Sequence, residues 1–143
     1  MKEEFIRIIE WPTEHAQKAY DNKNYVEALQ VLHGWIENKL QEILILIGSI
    51  DFNMDSSKTW DIANQVNYIN AARVLFILSQ LSDSEYQKII KFNSLRNQLI
   101  HKLFHEPYEK EYKGILKKEY DNVFNHGKQL AELLQRKTEL KIE

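Results

Sequence analysis

The sequence predicts an all-α fold, an up-and-down bundle of four long helices preceded by a short N-terminal helical arm. Three observations carry that reading. Only 4 Gly and 2 Pro occur in 143 residues, too few breakers for a turn-rich β architecture. Apolar residues recur at steps of three and four over long stretches, the period of one helix face. A capping box also stands where a long helix should begin. With 43% hydrophobic residues the chain can bury the core of one domain, and residues 1–143 read as that single unit.

The arm comprises residues 5 to 11, with Phe5, Ile8, Ile9 and Trp11 spaced for a helix, and a short amphipathic piece over 13 to 22 beyond Pro12. The next helix is expected over 24 to 47. Leu29, Leu32, Ile36, Leu40, Ile43 and Ile47 form its stripe, Asn24 caps its start, and Gly48 ends it. A polar linker, 51 to 57, leads to a third helix over 58 to 80, with Ile62, Val66, Ile69, Ala72 and Phe76 facing inward. Ser82 and Glu85 frame the capping box of a fourth helix, expected to run to residue 105, because Pro107 pushes Glu106 out of helical geometry. The last helix is expected over 108 to 136. Leu116, Tyr120, Val123, Gly127, Leu130 and Leu134 alternate steps of four and three, the seam of an antiparallel bundle or of a dimer. The charged tail beyond Lys137 reads as frayed.

Composition narrows function. There are no cysteines, which removes disulfides and thiolate metal sites and suits a reducing cytoplasm. No apolar run approaches the ~18 residues of a membrane span, and the acidic start lacks an export core. The net charge of −2 argues against a general nucleic-acid coat. Its distribution is uneven: seven basic residues against eleven acidic over 1–82, eight against five over 83–118, and four against five over 119–143. The basic middle section can receive an anion.

That section holds the candidate site. Ile89, Phe92, Leu99 and Leu103 form the apolar ridge of the fourth helix, and Arg96 interrupts it. A guanidinium on such a ridge is costly unless it is paired or lines a cleft. Beside it Asn93, Asn97, His101 and His105 follow one another at steps of four, a polar file on one face. Arg96 and His101 lie about 140° apart around the axis, so one rigid helix cannot aim both at a single atom. Either the arginine reaches round, or a second copy of the helix completes the site. A structural alternative stands beside this one. Arg96 can snorkel to a carboxylate such as Glu37 or Asp61, with His101 an ordinary interfacial histidine.

The hexamer Arg96-Asn97-Gln98-Leu99-Ile100-His101 resembles the R-x(4–6)-H signature of the HEPN superfamily, including the frequent Asn directly after Arg. Chain length, the placing of the motif in a late helix before a final one, and the hairpin around residues 28 to 37 are similar too. The resemblance implies a metal-independent endoribonuclease, often the toxin of a toxin–antitoxin or defence system, with no cofactor. It further implies a homodimer whose two motifs face one cleft. Carried over residue by residue, His101 is the acid/base, Arg96 stabilises charge on the phosphorus centre, and Asn97 positions the motif or the phosphate. Asn93, His105 and Lys102 support the site or position substrate. The alternative within the same resemblance is a non-catalytic module that docks on a nucleotidyltransferase or antitoxin, and outside it a helical interaction protein. The HepT-like branch carries a tyrosine two residues after the motif histidine, where this chain has Leu103.

The remaining features are weaker. His101 and His105 at a spacing of four offer only two ligands, short of the three a metal site needs. His15, His33 and His126 read as surface or interfacial residues, and Trp35 and Trp60 as core. Lys110, Lys113, Lys117 and Lys118 form a basic run that reads either as a solvated face or, starting close to the candidate cleft, as a guide for an RNA backbone.

Overall fold

The computed structural model describes residues 2–104 and 114–143, apart from the side chain of Phe104. Among the described residues the chain is helical with no strand. The elements are α1 (Pro12–Asp21), α2 (Tyr25–Leu46) running into a π-helical turn (Ile47–Asp51), α3 (Ser56–Ala63), α4 (Tyr68–Ile77), α5 (Asp83–Phe104) and α6 (Lys117–Ile142). No helix among the described residues is long and apolar enough to cross a membrane.

The core is built on α2, which rests on α1, α4 and α6. Its expected stripe is the buried one: Leu29, Leu32, Ile36, Leu40, Ile43 and Ile47 are all removed from solvent. Each fully buried Leu or Ile adds about 1.5–3 kcal/mol. The heptad-like positions of α6 are buried too, namely Tyr120, Val123, Gly127, Leu130 and Leu134. That seam is therefore spent inside the chain. At Gly127 a Cβ would meet Phe92 Cε2 at 2.6 Å and Leu32 Cδ1 at 2.9 Å, so glycine is what lets α6 approach α2 and α5 this closely.

The capping box at the start of α5 is formed: Glu85 N–H donates to Ser82 Oγ (3.1 Å) and Ser82 N–H donates to Glu85 Oε1 (2.8 Å). Lys137 of α6 pairs with the same Glu85 carboxylate at 3.0 Å.

Several expectations are corrected. Residues 5 to 11 are not helical; α1 starts at Pro12, whose missing N–H suits a first turn. Seven residues are too few to sustain a helix without a surface to cover, and Phe5 and Ile6 stand 87% and 91% exposed. Gly48 does not end α2, because the backbone continues through the π turn. Its role is contact, since a Cβ there would strike Thr59 Cγ2 at 2.6 Å. Asn24 stands at the N-cap of α2 but makes no side-chain cap bond.

The third long helix is broken into α3 and α4. Asp55 caps the first by accepting from Lys58 N–H, and Asn67 caps the second by accepting from Asn70 N–H. The break turns the two halves separately, so the continuous stripe fails. Ile62 is exposed and Phe76 partly so, while Ala63, Tyr68, Ala71, Ala72 and Leu75 are buried. Trp60 is also exposed, whereas Trp35 packs on the core and meets Trp11 edge to face at 5.0 Å. Leu116 is the exposed N-cap of α6, not part of its stripe. The tail is no loose end: α6 runs to Ile142, Thr138 is buried, and Lys141 pairs with Asp51 at 2.8 Å.

Candidate functional site

Phe92 and Arg96 are one helical turn apart on α5, and they meet opposite environments. Phe92 is fully buried. Arg96 is half-buried where α5 passes α2, with its stem covered and its tip at the surface. Its Nη1 donates to Gln30 Oε1 on α2, and its Nη2 donates to Asn97 Oδ1 at 3.0 Å. Its Nε–H is buried and finds no partner.

Neither expected carboxylate pairs with this guanidinium. Glu37 instead accepts from the backbone N–H of Tyr68 at 2.8 Å. Among the described residues no carboxylate lies within ion-pair distance of Arg96, and both its partners are neutral amides. Burial pulls the Arg96 pKa below its ordinary value, against the opposing influence of Tyr68 and Glu37. The charge is thus hydrogen-bonded to dipoles and directly paired with no carboxylate among the described residues, Glu37 acting on it only from a distance.

A polar layer continues beneath it. The His33 ring stacks on Tyr68 with centroids 4.5 Å apart and planes 8° from parallel. With the proton on Nε2, His33 donates to Asn93 Oδ1 at 2.8 Å. Burial lowers the His33 pKa and Arg96 adds to that, against the Asn93 bond and Glu37. Tyr68 donates its hydroxyl proton to the Ile89 carbonyl at 2.8 Å, joining α4 to α5, and burial raises its pKa.

The structure brings together Arg96, Asn97 and Asn93 with Gln30 and His33. His101 is exposed on α5, about 7.5 Å further along the axis and turned away by about 140°. Lys102 is exposed and its Nζ donates to Glu119 at 3.2 Å. His105, Lys110 and Lys113 lie outside the described residues. Lys117 pairs with Asp121 at 2.9 Å. Lys102 and Lys118 line a hollow of about 470 Å³ between α5 and α6 with Leu95, Gln98 and Asn122. Among the described residues no three His, Asp or Glu side chains gather as a metal site would require.

Sequence reasoning did not identify Gln30 as the partner of Arg96 or His33 as the partner of Asn93. Their signal was faint: Gln30, His33 and Glu37 interleave with the apolar stripe of α2 at steps of three and four, but only tertiary contact identifies their partners. Comparison with protein-family models, curated proteins and solved structures finds no match to this chain.

Proposed function

We propose that this chain is a ribonuclease of the HEPN type that works as a homodimer and cuts single-stranded RNA without a metal ion. The observation that supports it most is Arg96, a half-buried cation held only by neutral amides, five residues before an exposed histidine on the same helix. A guanidinium paired with no carboxylate is matched to a phosphate, which it can bind in bidentate fashion.

The chemistry assigns each group a task. The 2′-oxygen of a ribose attacks the adjacent phosphorus, forming the 2′-O–P bond, and the P–O5′ bond breaks. The imidazole of His101 takes the 2′-OH proton, and an imidazolium returns one to the leaving 5′-oxygen. Arg96 stabilises the added negative charge in transit, and Asn97 holds the guanidinium in place. Since Arg96 and His101 diverge on one helix, the reading calls for a two-fold pair in which one copy's His101 works on phosphate held by the other's Arg96. An antitoxin or nucleotidyltransferase is the expected partner of such an enzyme.

The purified protein should cleave single-stranded RNA in EDTA, leaving 2′,3′-cyclic phosphate and 5′-hydroxyl ends, and should spare DNA. His101→Ala should slow the reaction by roughly 10²–10⁴ while the fold persists. Cleavage that depended on Mg²⁺, or that ran undiminished in His101→Ala, would overturn the mechanism. Inert wild-type protein would favour the docking-module alternative.

A further inference from the structure

We propose that Gln30, on a helix that carries none of the motif, is a phosphate-binding residue and forms with Arg96 and Asn97 a cradle complete within one subunit. The inference rests on the ribonuclease reading for its substrate, the RNA backbone, and on the following geometry for its residues.

Arginine can only donate hydrogen bonds, so the side-chain amides that touch it must present their oxygens. Gln30 does so through Oε1 and Asn97 through Oδ1. That fixes where their other ends go: each amide NH₂ points away from the guanidinium, and neither has a hydrogen-bond partner among the described residues. Both side chains are exposed. The result is a run of donors, Gln30 Nε2, the remaining Nη1 and Nη2 N–H groups of Arg96 and Asn97 Nδ2, around one positive charge that no carboxylate among the described residues pairs directly. A phosphate accepts from several donors at once, whereas a carboxylate at Gln30 would have closed the site by neutralising it.

Gly34 supplies a second, independent observation. Helical side chains lean towards the N-terminus, so a residue at 34 would lie back over the turn that carries Gln30. Gly34 sits in the middle of α2, where glycine is a poor helix former, yet a Cβ there would meet nothing within 4 Å. Packing does not require glycine at this position. Its effect is to leave the Gln30 amide uncovered.

The cradle separates holding from cutting. Phosphate is held by side chains of α2 and α5 of one chain, and His101 is needed only for the proton transfers. The test follows the side-chain N–H resonances of Gln30 and Arg96 during titration with inorganic phosphate, then measures cleavage of a short single-stranded RNA. Wild type and His101→Ala should show the same saturable shifts. Gln30→Glu places a carboxylate on Arg96, so it should melt no lower than wild type, bind phosphate at least tenfold more weakly and cut RNA at least tenfold more slowly. Gly34→Leu, which leaves every donor in place, should also weaken phosphate binding and provides the answer if Gln30→Glu fails to fold.

Unchanged phosphate shifts in folded Gln30→Glu or in Gly34→Leu overturn the cradle. If wild type cleaves RNA and Gln30→Glu cleaves it equally well, the cradle falls and the ribonuclease reading stands. If phosphate binds through Gln30 but no RNA is cut, the cradle stands and the ribonuclease reading falls.

Discussion

Two neighbouring junctions of α2 and α5 differ in kind, though they are one helical turn apart. At the first, Leu32, Phe92 and Gly127 of three helices close around each other with no room for a methyl group. At the second, Gln30, Asn97 and Arg96 meet through hydrogen bonds, a guanidinium N–H stays unpartnered, and Gly34 faces open space. The same residue type therefore serves opposite ends. Gly127 is a glycine because there is no space, and Gly34 is a glycine where space is left over. The first junction minimises free volume, and the second leaves side-chain donors unspent.

The sharpest way to break this contrast is to add one methyl group at each glycine. Gly127→Ala pushes Cβ into the Phe92 ring and should lower stability by about 1–3 kcal/mol, the usual cost of overpacking, despite the better helix propensity of alanine. Gly34→Ala meets no atom and should raise stability by about 0.5–1 kcal/mol. Urea or thermal unfolding of the two variants checks both, and effects of the same sign would erase the distinction between the junctions.

The smallest effect concerns His33, which lies between the two junctions. Its pKa in the fold is held below the ordinary 6.5, by burial first, so the unfolded chain takes up a proton before the folded chain does. Stability should therefore be complete above about pH 7 and decline as pH falls through the unfolded value. His126, lowered by burial and by Lys91 and Lys88, acts in the same direction, whereas His15, raised by its bonds to Glu27 and Glu10, opposes it. His33→Gln keeps a donor for Asn93 but cannot titrate, and its unfolding between pH 7.5 and 5.5 should be flatter than that of wild type. Parallel pH profiles would show that the buried imidazole contributes no linkage.

The comparison also explains what could be read from the chain alone. Features set by neighbours in sequence were legible: the Ser82–Glu85 box, the α2 stripe, and the ridge that makes Arg96 conspicuous. The division of α3 from α4 was not, because Ile62, Val66 and Ile69 keep helical spacing across a break set by the Asn67 cap. The N-terminal arm misled for a related reason. Its apolar period is real, but periodicity reports a face and not whether anything lies opposite to cover it. Around Arg96, the polar positions of α5 could be named from their spacing. Gln30 could not, because its link to Arg96 spans 66 positions and depends on how two helices cross.

The stack of His33 on Tyr68 has a spectroscopic consequence. An aromatic ring lying nearly parallel over another at 4.5 Å shields it magnetically, so the carbon-bound protons of His33 should resonate upfield of those of the exposed His101. Tyr68 is fixed from two further sides, by Glu37 at its amide and by the Ile89 carbonyl at its hydroxyl. The ring current felt by His33 is thus a gauge of how α2, α4 and α5 sit together, and it can be read without a label in the site.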